Sequence, residues 1–105
     1  MYFLCSFIGE LTQESCSSLC ADIIAASGMN PSHDPVVFEY PGDMGFIVAA
    51  PLQESMVFCD YWIRHKGGFL TLDSCKPFFP NSITEVMEKY GLTVHQKEVT
   101  GLSLP

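Results

Sequence analysis

Two side chains with reactive atoms close adjacent apolar runs in this chain. Ser55 ends FIVAAPLQES, directly behind Glu54, and Cys75 ends FLTLDSC; MVFCDYWIRHKGG lies between them. A serine hydroxyl at a strand end is a nucleophile when a base takes its proton. A thiol, with a pKa of about 8.5, gives and recovers a proton close to neutrality. If the chain reverses near Lys66-Gly67, residues whose numbers sum to roughly 130–133 face each other across a hairpin. Cys75 then lies opposite Val57 or Phe58, about 7–10 Å from Ser55 at the ~3.3 Å rise of a strand. On strict alternation Thr71, Asp73 and Cys75 share a face, and Asp60 lies near Asp73 on the neighbouring strand. Two carboxylates so placed raise one pKa or bind a cationic group. Tyr40 and Trp62 offer rings to a substrate, or with Phe38 and Tyr61 to the core or a dimer contact. Plainer readings stand beside these: Ser55 as a turn residue, Cys75 as a buried thiol, Asp60 and Asp73 as solvated strand residues.

The elements that must position these groups follow from pattern. Tyr2 to Ile8 reads as a buried strand. From Thr12 to Ser27, Cys16, Leu19, Cys20, Ile23 and Ile24 recur on one helical face. Thr12 fits the N-cap, Glu14 the first turn and Gly28 the C-cap. Val36 to Tyr40 and Gly45 to Leu52 read as strands joined by Pro41-Gly42-Asp43. Met56 to Ile63 and Phe69 to Ser74 form a second pair around Arg64-His65-Lys66-Gly67-Gly68. Pro80 and Asn81 open a helix in which Ser82 and Glu85 have capping-box spacing and Gly91 is the stop. Leu92 to Val99 reads as a last strand, and the GLSLP tail is expected to fray. The order β-α-β-β-β-β-α-β predicts an α+β fold, an antiparallel sheet with two helices packed on one face. The uncovered face, rich in aromatics, calls for a second copy of the chain, a homodimer.

Composition narrows the classes. The 105 residues make one domain, 1–105, with almost half of them apolar. Five basic residues, Arg64, Lys66, Lys76, Lys89 and Lys97, against a net charge of −7 argue against nucleic acid and suit a small cationic substrate. Five cysteines form no CxxC and leave one unpaired in any disulfide scheme, so the chain reads as reduced and cytoplasmic. MYFLCSFIGE lacks a basic leader segment and is too short to span a membrane. His33, His65 and the acidic residues show no metal-ligand spacing.

From Gly45 to Gly91 the pattern resembles the S-adenosylmethionine decarboxylases, the small bacterial pyruvoyl-dependent proenzymes. The shared features are an apolar strand, Glu54-Ser55, a strand with Trp62, a glycine turn, a strand ending in Cys75, and a helix ending in glycine. Residues 1–44 agree in pattern alone. The resemblance implies a compact protomer, a dimer in the small bacterial forms, and self-cleavage between Glu54 and Ser55. It implies that Ser55 becomes the pyruvoyl cofactor and that Cys75 is the proton donor. Cleavage needs a strained backbone, an oxyanion donor and a base. The chain departs from the family at Met56 and Asp60, where bacterial members have histidines, and at Gly45-Phe46-Ile47-Val48, where they have Gly-x-Ser-Gly. An acidic substrate contact of the family falls at or near Arg64.

Three functions follow. The first is decarboxylation of S-adenosylmethionine in polyamine synthesis, with Ser55, Cys75, Glu54 and Asp60 in the catalytic site and Tyr40, Trp62 and Asp73 at the substrate. The second keeps the pyruvoyl group and takes ornithine or arginine. The third is an unprocessed, inactive homologue that binds a ligand or regulates a partner.

Overall fold

A computed structural model describes residues 1–53 and 55–101. The elements run β1 (Tyr2–Ile8), α1 (Gln13–Ala26), β2 (Val36–Glu39), β3 (Gly45–Pro51), β4 (Ser55–Trp62), β5 (Gly67–Ser74), α2 (Pro80–Lys89) and β6 (Thr93–Thr100), in the expected order. The strands form one antiparallel sheet ordered β2-β3-β4-β5-β1-β6. The first strand is thus inserted between β5 and β6, and the hairpins β2-β3 and β4-β5 keep their local pairing.

Period-two alternation decides which face is dry. Phe3, Cys5 and Phe7 of β1, Val57, Cys59 and Tyr61 of β4, and Leu70 and Leu72 of β5 all point toward the helices and are buried. The stripe Cys16, Leu19, Cys20, Ile23 and Ile24 of α1 and Ile83, Val86 and Met87 of α2 complete this core. Cys16, Cys20 and Cys59 are fully buried among them. The thiols of Cys20 and Cys59 are pushed well up by hydrogen bonding to Cys16 and by burial, so they pack as small apolar groups. All five cysteines are free thiols.

Helix ends show where local chemistry held and where it did not. Thr12 caps α1 in a reciprocal pair with Ser15, its hydroxyl accepting from the Ser15 N–H at 3.0 Å. Ser27 is the C-cap and Gly28 the left-handed residue that follows it. The expected Ser82–Glu85 capping box is not formed: α2 starts at Pro80, with Phe79 as N-cap, which leaves Ser82 inside the helix. Proline needs no N–H partner at the first helical position, so the helix opens at Pro80 as expected and its cap falls three residues ahead of Ser82.

Candidate active site

Ser55 is the first residue of β4, and the hairpin that delivers it is closed by the Leu52 N–H donating to the Ser55 carbonyl at 2.9 Å. A second segment is stitched to the same turn. Pro31 bridges Leu52, the Ser32 N–H donates to the Pro51 carbonyl at 3.1 Å, and the Gln53 N–H donates to the Asn30 carbonyl at 3.0 Å. His33 follows this attachment; its Nδ1 lies 3.0 Å from the Ser32 hydroxyl, and it lines a cavity with Ile24, Met29 and Pro31. The attachment of residues 30–32 to this turn has no local signal in the sequence, because the bridge joins positions 31 and 52. Glu54, the expected residue ahead of the cut, lies outside the described residues, as do residues 102–105 of the tail.

The register across β4 and β5 differs from the expected one. Ser55 faces Ser74, Met56 faces Asp73, Val57 faces Leu72 and Phe58 faces Thr71. Cys75 therefore does not oppose Val57 or Phe58. It leaves the strand just past the Ser55–Ser74 pair and is exposed, which also removes its reading as a buried thiol. The cause is the short 3₁₀ turn Ile63–His65 followed by the left-handed Lys66, which ends β4 at Trp62 and starts β5 at Gly67. Between Ser55 and Cys75 stands a hydroxyl that pattern reading passed over. Ser74 is buried, its Oγ accepts the Lys76 N–H at 2.9 Å and lies 3.5 Å from Met29 Sδ.

The same register separates the two carboxylates expected to meet. Asp60 opposes Phe69, while Asp73 opposes Met56, four residues further along and about 13 Å away at strand rise. Asp60 instead accepts the Tyr40 hydroxyl at 2.9 Å. The Tyr40 hydroxyl, an acceptor's donor here, has its pKa raised by desolvation and by the Asp60 carboxylate. The Tyr40 ring stacks on Trp62, with centroids 4.7 Å apart and planes 17° off parallel. Tyr40, Asp60 and Trp62 are thus one cluster on the face away from the helices.

Ser55 belongs to the other side. Alternation sets it with Val57, Cys59 and Tyr61, and Asp60 is about 17 Å along the strand at ~3.3 Å per residue. The expected site residues therefore fall into two groups, Ser55, Asp73 and Cys75 at one end of β4, where Ser74 joins them, and Tyr40, Asp60 and Trp62 at the other. Two cavities, of about 600 Å³ and about 760 Å³, lie at the Trp62 end. Among the described residues no group of three or more His, Cys, Asp or Glu is placed to hold a metal ion.

No family model and no curated protein matches this chain in sequence. Its structure is similar to the crystal structure of the adenosylmethionine decarboxylase from Aquifex aeolicus VF5. The TM-score is 0.61, over 99% of this chain and 95% of that one, at 10% sequence identity. What the two share is the fold. The likeness of fold covers β1, α1 and β2 as well as the stretch from Gly45 to Gly91. Among the described residues no helix is long and apolar enough to cross a membrane.

Proposed function

We propose that this chain is a pyruvoyl-dependent decarboxylase of S-adenosylmethionine that cleaves itself between Glu54 and Ser55. The observation that carries this reading is the position of Ser55, at the turn that opens β4, with Cys75 one step beyond its cross-strand partner. In cleavage the Ser55 hydroxyl attacks the preceding carbonyl and the amide becomes an ester. β-Elimination would then release the Glu54 carboxylate, which takes the Ser55 oxygen with it, and water would hydrolyse the dehydroalanine left behind, releasing ammonia and supplying the ketone oxygen of the pyruvoyl group. That group would be held by Leu52, whose N–H donates to the Ser55 carbonyl at 2.9 Å, and by Ser74, which opposes Ser55 across the strands. Its carbonyl supplies the electron sink for loss of carbon dioxide from an amino acid. Cys75 returns a proton to the substrate carbon, and its exposure leaves it open to a small molecule. The net charge of −7 suits a cationic substrate, S-adenosylmethionine first and ornithine or arginine next. A second copy is the partner, set against the open sheet face where Val36, Phe38 and Met56 are exposed.

One observation favours the unprocessed homologue. Met56 and Asp60, at the places of the bacterial histidines, sit on the face opposite Ser55, and Asp60 is bonded by Tyr40. A denaturing mass spectrum of purified protein decides between the two. Two fragments that break before Ser55, and a single chain for Ser55→Ala, are the expected result. A wild-type chain still intact after prolonged incubation removes both pyruvoyl readings and leaves the ligand-binding homologue.

A further inference from the structure

Ser55 and Ser74 stand directly opposite each other on neighbouring strands. The Ser74 N–H turns away from β4 and donates to the Met1 carbonyl at 2.9 Å, while the Ser55 carbonyl turns toward β3 and accepts the Leu52 N–H at 2.9 Å. Theirs is therefore a non-hydrogen-bonded pair, the kind in which Cα atoms approach to about 4.5 Å and side chains lie closest. Both side chains belong to the helix-covered face. Ser74 continues the buried row of Leu70 and Leu72, and Ser55 continues that of Val57 and Cys59. Two hydroxyls are thus neighbours at the turn that opens β4.

Ser74 is 1% exposed, and its oxygen is fixed in place. The Lys76 N–H donates to Oγ at 2.9 Å, a local turn bond that holds the side chain in one rotamer. Its own proton is directed at Met29 Sδ, 3.5 Å away. A serine oxygen has two lone pairs, and the Lys76 N–H uses one of them. The other is open to a hydroxyl donor on the same face, and Ser55 carries one. The next pair on that face, Val57 and Leu72, is buried and apolar, so it offers the Ser55 hydroxyl no acceptor.

We propose that Ser74 is a positioning residue for self-cleavage: its Oγ accepts the Ser55 O–H and holds the Ser55 oxygen in one rotamer for attack on the preceding carbonyl. The proposal rests on the reading of Ser55 as the cleaved serine and adds a residue to it. In this step the Ser55 oxygen bonds to the carbonyl carbon of residue 54, the amide C–N bond breaks, and the hydroxyl proton ends on the freed amine. Ser74 is neither consumed nor charged. It acts by orientation, and loss of a nucleophile's alignment costs about 10²-fold in rate.

Timed gels of freshly translated chain measure scission, and melting temperatures taken beside them measure the fold. Ser74→Ala is expected to slow scission about 10²-fold at temperatures where the variant is fully folded. Ser74→Cys keeps the size of the side chain but offers sulfur, a weak acceptor, and is expected to be as slow. Ser74→Thr keeps a hydroxyl on the same carbon and is expected to recover most of the rate. A purely structural role gives the opposite order, because Cys fits the buried position and Thr adds a methyl group to it. Hydroxylamine, which cuts esters, is expected to release no extra fragments from Ser74→Ala, since the ester does not form there. Wild-type scission in Ser74→Ala or Ser74→Cys, equal rates in the Cys and Thr variants, or ester accumulating in Ser74→Ala each overturns the role of Ser74 and leaves self-cleavage standing. A wild-type chain that stays intact overturns self-cleavage itself, and this role falls with it. Where Ser74→Ala does not fold, the comparison of Cys with Thr decides.

Discussion

Cys75 and Ser74 are neighbours in sequence with opposite physical situations. Cys75 is exposed past the end of β5, so its truncation opens no cavity. Cys75→Ala is expected to keep stability within about 0.5 kcal/mol and to retain cleavage. On the proposed chemistry its decarboxylation falls about 10²–10⁴-fold, and Cys75→Ser is similarly impaired because a hydroxyl is a far weaker acid. Carbon dioxide release from S-adenosylmethionine, ornithine and arginine, measured beside the melting temperature, checks both statements; normal turnover in the Ala variant excludes the thiol as donor. Ser74 is buried and its Oγ accepts the Lys76 N–H, so Ser74→Ala is expected to cost about 1–2 kcal/mol in urea melts. Cys5 gives a pH signature. Burial beneath β1 pushes its thiol from 9.0 up to about 12, against smaller opposing effects of the Leu70 backbone and Lys97. The folded chain thus holds this proton more tightly than the unfolded chain, and the stability it adds is complete below pH 9 and lost as pH rises to about 12. Cys5→Val is expected to flatten the fall in stability between those limits, and urea melts of both proteins across that range measure it.

At the scale of elements, the β3–β4 hairpin and its neighbours carry the candidate chemistry. The turn at Leu52 is held from two sides, by β4 through Ser55 and by residues 30–32 through backbone hydrogen bonds. His65 and His95 lie at the Trp62 end, so His33, which follows this second attachment, is the histidine to test as an aid to the proposed processing. His33→Ala is expected to slow the appearance of fragments in a timed gel without lowering the melting temperature, since the side chain is exposed. Scission at the wild-type rate excludes His33 as an aid to processing. Helix α1 depends on its first turn in the same local way. Thr12→Ala removes the acceptor for the Ser15 N–H and is expected to cost about 1 kcal/mol by thermal unfolding.

The whole molecule presents one covered face and one bare one. Both helices cross the same side of the sheet, and the opposite side exposes Val36, Phe38, Met56 and Phe69, with Phe38 56% accessible. A face of this kind gains from association, and the proposed dimer follows. Sedimentation at micromolar concentration is expected to give twice the chain mass, and Phe38→Glu to give the monomer, because a carboxylate placed in an apolar contact is left unpaired. A monomeric wild type removes the dimer.

Much of this architecture is written in local pattern. Strands β1, β3, β4 and β5 alternate more and less buried positions, α1 repeats its apolar residues at helical spacing, and Thr12, Gly28 and Gly91 punctuate the chain where they were expected to. These are short-range effects of propensity and periodicity, so the sequence by itself determined the element order and the face each strand buries. Register belongs to another level. Whether Cys75 opposes Val57 or passes Ser74 depends on where the β4–β5 turn closes, and that was decided by a 3₁₀ turn and a left-handed Lys66. A change of one or two residues there parts Asp60 from Asp73 and leaves Asp60 to Tyr40. The bridge from Pro31 to Leu52 and the pairing of Trp62 with Gly45 and Gly67 are likewise products of tertiary structure. They join residues far apart in the chain through backbone contacts that no side-chain pattern specifies.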